Sequence, residues 1–226
     1  MPGLAKRLAA EGLGTAFLLA IVIGSGIMGE RLAGGNVAII LLANSIATGC
    51  GLAVLIIVFG PVSGAHFNPA VTLSMASQGA LAWKDVLPYT LTQVSAAFVG
   101  VAAAHLMFNE PLFFASVKTR TGGAQWWSEF VASFGLMMVI WGCVRQRIGA
   151  LPFAVAAYIT AAYWFTASTS FANPAVTLAR ATSNTFAGIR PEDAPAFILA
   201  QLAGAGLATM VATKLFPRAQ DNSPES

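Results

Sequence analysis

Along the chain, apolar residues run in long blocks instead of alternating with polar ones. A helix that crosses the hydrocarbon of a bilayer needs roughly 20 apolar residues. Six blocks reach about that length, near residues 8–28, 36–59, 86–108, 127–144, 150–169 and 194–215. Glycines interrupt many of them, which in membrane helices lets backbones approach closely. Two further stretches, 61–80 and 166–186, are too apolar for loops in water and too broken by Pro and Gly to span. Such stretches read as re-entrant segments, tolerated in a bilayer only where they pack in protein or line a cavity.

Each re-entrant stretch carries the same hexapeptide, NPAVTL, at 68–73 and again at 173–178. The repeat extends outward. AEGLGTAFLLAIVIGSG in the first block resembles SEFVASFGLMMVIWGC in the fourth, aligning Glu11 with Glu129. YTLTQVSAAFVGVAAA in the third resembles FILAQLAGAGLATMVA in the sixth, aligning Gln93 with Gln201. Each half therefore has two spans, a re-entrant segment and a third span. Three spans per half force the second half to cross in the opposite sense, and such inverted repeats build their sites at the interface of the halves near the midplane. The expected fold is an all-α membrane protein with six transmembrane helices and two re-entrant half-helices in an inverted 3+3 repeat. It forms one channel domain over 1–216, with repeat one about 4–108 and repeat two about 125–216, followed by a polar cytoplasmic tail at 217–226.

Composition agrees with a bilayer setting. The chain has 226 residues, 57% hydrophobic and only 9% charged, against about 25% charged in soluble domains. The net charge of +3 is too small for a nucleic-acid surface. The basic residues read as topology signals: Lys6, Arg7, Lys84, Arg145, Arg147, Lys214 and Arg218 on one side, and Arg31, Lys118, Arg120, Arg180 and Arg190 on the other. That bias favours both termini in the cytoplasm. Lys6 and Arg7 before an apolar run imitate a secretory signal, but Glu11 interrupts the pattern, so the run reads as the first span. Cys50 and Cys143 sit in apolar runs and read as small buried hydrophobes.

Asn68-Pro69-Ala70 and Asn173-Pro174-Ala175 each have the form of a helix start. Asn caps with its side-chain oxygen, and Pro suits the first helical position. In opposed halves the two short helices meet N-terminus to N-terminus, aiming two positive dipole ends at one spot. Cations are repelled there. If the Asn oxygens cap, both amide NH2 groups are free to donate to a neutral solute.

SGAHFNPAVT at 63–72 and FANPAV at 171–176 resemble the two signatures of the aquaporins, the major intrinsic protein family, and the likeness covers about residues 4 to 216. The resemblance implies one pore per subunit and a homotetramer embedded in membrane lipid. NPAVTLARA and NTFAGIRP resemble a bacterial subgroup associated with arsenic-resistance operons, similar to aquaglyceroporins, which implies the bacterial inner membrane. The implied permeants are water, glycerol, arsenite and related neutral metalloid hydroxides; no cofactor, metal or nucleic-acid partner is implied.

One departure stands out. The family usually has Arg after the second Asn-Pro-Ala, where this chain has Val176. Counted from the motifs, the four outer-filter positions fall on Thr48, Ala161, Ser170 and Val176. Water-selective members carry a bulky aromatic, a His and an Arg there, so a wide, uncharged filter is expected. Either Val176 simply repeats Val71 in an otherwise ordinary pore, or Arg180, one helical turn on, supplies the missing outer-mouth cation. The bland alternative for Arg180 is a surface arginine at the headgroups.

Glu11 and Glu129 are acids within apolar spans, which makes them functional candidates. Their symmetry suggests that each accepts hydrogen bonds from its re-entrant loop, with Gln93 and Gln201 bracing the half-helices. His66 lies on the cytoplasmic approach as a pore-lining or loop-bracing residue, or as a pH gate. The rivals of a passive solute channel are a narrow water channel and a proton-coupled transporter using the two acids. Enzyme chemistry is not expected: no triad, metal cluster or phosphate loop stands in context.

Overall fold

The computed structural model describes residues 2–216. The expected tail at 217–226, including Arg218, lies outside the described residues. Among those described, eight α-helices occur: α1 (Leu4–Leu32), α2 (Val37–Ser63), α3 (Pro69–Ser77), α4 (Trp83–Phe108), α5 (Gly123–Gln146), α6 (Leu151–Phe165), α7 (Pro174–Arg180) and α8 (Ala194–Leu215). Six are long and apolar enough to cross a membrane, α6 and α8 each with the single 3₁₀ turn before it. The chain is an integral multi-pass membrane protein, with α3 and α7 as the two half-helices.

Local chemistry sets the ends. Asn36 caps α2 by accepting from the N–H groups of Ala38 and Ile39. α2 runs through Pro61 and stops where Gly64 turns left-handed at φ 90°, a conformation that costs glycine little. α4 ends on Asn109 at φ 57°. The fifth span ends at Phe165, not at 169 as the apolar run suggested, because the chain extends at Thr166 and turns left-handed at Thr169, φ 61°.

α1 packs on α2 and α4, and α5 packs on α6 and α8, so the halves are built alike; α2 meets α6 across them. Glycine makes the tightest crossings. A Cβ on Gly100 of α4 would lie 2.2 Å from the Ala16 carbonyl oxygen of α1. One on Gly204 of α8 would lie 2.3 Å from the Phe130 carbonyl oxygen of α5. The exterior is apolar, with Phe17, Leu42, Val54 and Leu91 exposed, and the polar side chains Glu11, Gln93, Glu129 and Gln201 are fully buried. This is the arrangement lipid demands. Cys50 is exposed on α2 and is not the buried hydrophobe expected; Cys143 is partly buried, and both are free thiols.

A strap between α4 and α5 lies over the chain that follows α7. Phe114 N–H donates to Thr182 O at 3.1 Å, Ser116 N–H to Ala181 O at 3.0 Å, and Arg190 N–H to Lys118 O at 2.8 Å. His105 supports it from beneath, bonding Leu112 O and Ser183 Oγ, each at 2.8 Å. Lys118 Nζ donates to Phe186 O at 2.6 Å and sits 4.4 Å from that ring's centre. Burial, then repulsion by Arg120 and Arg180, pushes the Lys118 ammonium down to about 8, with Glu30 opposing.

Two outcomes are expected. Gly100→Ala forces α1 and α4 apart and costs about 1–3 kcal/mol, seen as a fall in Tm in detergent, whereas Gly206→Ala, with open space around it, leaves Tm unchanged or slightly raised. The second outcome concerns Lys118. Its folded value lies below its ordinary 10.5, so the unfolded chain binds more protons between those values and stability rises with pH there. Wild-type Tm therefore gains on that of Lys118→Met from about pH 8 to pH 10; parallel curves contradict this.

Candidate functional site

The two re-entrant loops are shaped by buried carboxylates. Glu11 Oε1 accepts from Ser63 Oγ at 2.7 Å and His66 N–H at 2.9 Å; Oε2 accepts from Phe67 N–H at 2.7 Å and Gln93 Nε2 at 2.8 Å. Glu129 repeats the scheme, accepting from Phe171 N–H and Ala172 N–H, each at 2.9 Å, and from Gln201 Nε2 at 2.6 Å. Gln93 Nε2 also donates to Thr72 Oγ1 of α3 at 2.9 Å, and Gln201 Nε2 to Thr177 Oγ1 of α7 at 2.8 Å. The residues one and three before each motif Asn adopt left-handed backbone: Phe67 and Ala65 at φ 49° and 50°, Ala172 and Ser170 at φ 48° and 49°. Such backbone is unfavourable for residues with a Cβ, and the carboxylates hold it.

The motif asparagines join the halves. Asn68 Oδ1 accepts from Ala70 N–H at 2.9 Å, and Asn173 Oδ1 from Ala175 N–H at 3.0 Å and Val176 N–H at 3.3 Å. Pro69 and Pro174 take the first helical positions. Asn68 Nδ2 donates to Ala172 O at 2.8 Å, and Asn173 Nδ2 to Phe67 O at 2.7 Å. The expectation of wholly free amides is thereby corrected. Each NH2 spends one hydrogen on the opposite loop and keeps one for the pore.

A cavity of about 610 Å³ runs past this junction, lined at one end by Gly149 and Ala80, centrally by Asn68 and Asn173, and at the other end by Thr48, Tyr163 and Arg180. Val71 and Val176, at matching places on the half-helices, both line it. Thr48, Ser170 and Val176 all line it, and Ser170 Oγ is buried with no hydrogen-bond partner among the described residues. Ala161 does not join them. It is exposed on the outer face of α6. The helical period puts Val155, Ile159 and Tyr163 on the cavity side, and the early end of α6 shifts the count by two residues. Tyr163 OH lies 3.2 Å from Thr48 Oγ1.

The expected uncharged filter without a large aromatic is thus changed on two counts. Tyr163 supplies a ring, and Arg180 lines the same cavity at 2% exposure, so it is not a headgroup-facing surface residue. His66 lines the opposite approach, its Nδ1 3.1 Å from Thr72 Oγ1 and its ring 5.5 Å from that of Tyr89. The residues missed from sequence are Tyr163, Phe171 and Arg120. The spacing of Val155, Ile159 and Tyr163 could have revealed the first. Nothing local marks Arg120, which reads as one more loop cation.

The wall is mostly apolar, with hydrogen-bonding groups at a few stations. It suits passage of small solutes and not bond making. The major intrinsic protein pattern matches residues 2–149. The chain is 52% identical over 227 residues to aquaglyceroporin AqpS of Rhizobium meliloti (strain 1021), covering 99% of this chain and 97% of that protein. It is 33% identical over 157 residues to the probable glycerol uptake facilitator protein of Thermotoga maritima, covering 62% of this chain and 64% of that one. The solved aquaglyceroporin from Plasmodium falciparum superposes with a TM-score of 0.76 at 17% identity, over 94% of this chain and 97% of that one, a likeness of fold. With that match over most of the chain, with two opposed Asn-Pro half-helices and a cavity running past them, the chain belongs to the major intrinsic protein family and is a membrane channel, not an enzyme.

Proposed function

We propose that the pore conducts small uncharged hydroxylated solutes passively: glycerol, arsenite and related metalloid trihydroxides, together with water. The observation that carries this reading is Val176, an apolar side chain lining the cavity one residue past the second Asn-Pro-Ala, beside the small Ser170 and Thr48. No charged side chain from α7's first turn narrows the path. A solute with several hydroxyls can exchange water for the spare Asn68 and Asn173 N–H groups. An ion finds no such replacement for its hydration. Arsenite at neutral pH is an uncharged trihydroxide, so it follows the same logic as glycerol. The similarity to proteins named aquaglyceroporin and glycerol uptake facilitator supports this. The basic-residue bias supports termini in the cytoplasm of a bacterial inner membrane. The largely apolar exterior fits lipid, and a homotetramer is the proposed assembly.

A water-only channel is the second reading, favoured by Tyr163 and Arg180 on the cavity wall. Proteoliposomes assayed by stopped-flow light scattering separate the two. Wild type is expected to pass water, glycerol and arsenite. Val176→Arg is expected to lose glycerol and arsenite flux by roughly tenfold or more while keeping water within about threefold, since one cation narrows and charges the path. Wild type that passes water alone sinks the solute reading.

Coupling to protons is disfavoured because, among the described residues, the hydrogen-bond partners of Glu11 and Glu129 all donate to their carboxylates. Glycerol flux is expected to be unchanged when a protonophore collapses an imposed pH gradient. Glu11→Gln replaces an acceptor with a donor against committed N–H groups and costs about 1–3 kcal/mol. It is expected to lower Tm in detergent, and flux per folded channel should persist. Stable Glu11→Gln protein that has lost gradient-driven uptake points to a transporter instead.

A further inference from the structure

Arg180 ends α7, four residues beyond Val176, and lines the cavity together with Ser170, Phe171 and Tyr163. Its guanidinium carbon sits 3.3 Å from the centre of the Phe171 ring. Its Nε donates to Ala187 O. Among the described residues its hydrogen bond is made by Nε and none by its two terminal nitrogens, and the ion pairs, Arg7–Asp85, Arg31–Glu110 and Arg190 with Glu192 and Asp193, do not include it. The nearby Glu129 is occupied by loop N–H groups and Gln201. A buried guanidinium with unspent donors therefore stands on the wall of the path, with an unpartnered hydroxyl, Ser170 Oγ, on the same wall.

Arg120 holds that arrangement in place. It comes from the strap, is 6% exposed, and lies 4.9 Å from the centre of the same Phe171 ring. Its Nε donates to Gly188 O at 2.8 Å and its Nη1 to Ser168 O at 2.8 Å. It thus ties the turn that carries Ser170 and Phe171 to the segment whose Ala187 carbonyl fixes Arg180. Burial pulls Arg120 down to about 10, so it stays charged at neutral pH. Its own backbone N–H donates to Asp193 Oδ2 at 2.8 Å.

We infer that Arg180 is the specificity-determining cation of this pore: it rejects positively charged solutes one helical turn beyond Val176, offers its terminal N–H groups with Ser170 Oγ to the oxygens of neutral polyols, and depends on Arg120 as a positioning residue. This deepens the solute-channel reading and rests on it for the polyol part alone. Setting the charge back by a turn leaves the first turn of α7 apolar at Val176. Cation rejection and a passage for polyols then coexist.

The test uses the full chain in proteoliposomes, with methylammonium as the cation probe, glycerol as the polyol and water as the check that the channel has assembled. Arg180→Gln is expected to keep water flux and to raise methylammonium permeability on the order of tenfold, the scale of one unit charge acting through partly dry protein. Adding Val176→Arg to that variant should restore exclusion. Arg120→Gln should also raise methylammonium permeability, and adding it to Arg180→Gln should raise it no further, the non-additivity of residues acting through one group. An Arg180→Gln channel that conducts water and excludes methylammonium as well as wild type overturns the inference. Should Arg180 variants fail to assemble, Arg120→Gln decides: raised methylammonium permeability with water flux kept supports the inference, and exclusion equal to that of wild type overturns it. Wild type that passes water and no glycerol defeats the proposed function, and the methylammonium comparison still stands.

Discussion

Two buried carboxylates hold the pore open. Glu11 and Glu129 have no exposure, and a charge so placed is costly unless its oxygens are occupied. Here they are occupied by consecutive backbone N–H groups of the re-entrant loops. Those loops need the bracing. Five of their residues with a Cβ, Ala65, Phe67, Thr169, Ser170 and Ala172, are left-handed, each a cost of roughly 1–2 kcal/mol. The reward is geometric. Phe67 O and Ala172 O come to lie where the asparagine of the opposite half can bond them. The two halves then lock at the point where both half-helices begin.

From that lock follow the properties of the pathway. The half-helices present their positive ends to the same place, and Asn68 and Asn173 each retain one donor hydrogen. Further out the symmetry breaks. The α3 end is approached past His66, next to Thr72. The α7 end is roofed by the strap between α4 and α5, which brings Lys118 and Arg120 over Arg180. The repeat supplies the scaffold, and the strap adds Lys118 and Arg120 at one end.

Much of this was legible in the chain itself. Six apolar runs, two Pro-broken segments and a doubled NPAVTL specify six spans and two half-helices, because lipid leaves the backbone few ways to satisfy itself. An inverted repeat follows from three spans per half. Alignment of the halves matches Glu11 with Glu129 and Gln93 with Gln201, and each acid accepts from its own re-entrant loop as that symmetry suggests.

Tertiary structure alone decided which side chains reach the pore. Spacing from the motifs led to Ala161, but the rotation of α6 and its end at Phe165 turn that residue outward and bring in Tyr163. The asparagine amides looked free until the opposite loop was seen to take one hydrogen from each. Arg120 bonds carbonyls 48 and 68 positions away in sequence, and no local pattern encodes such a reach. A sequence determines periodicity, capping and what must be buried, since these depend on near neighbours. Helix rotation and the path of a strap depend on packing between distant segments, and that packing brings a loop arginine, Arg120, to the same Phe171 ring that Arg180 covers.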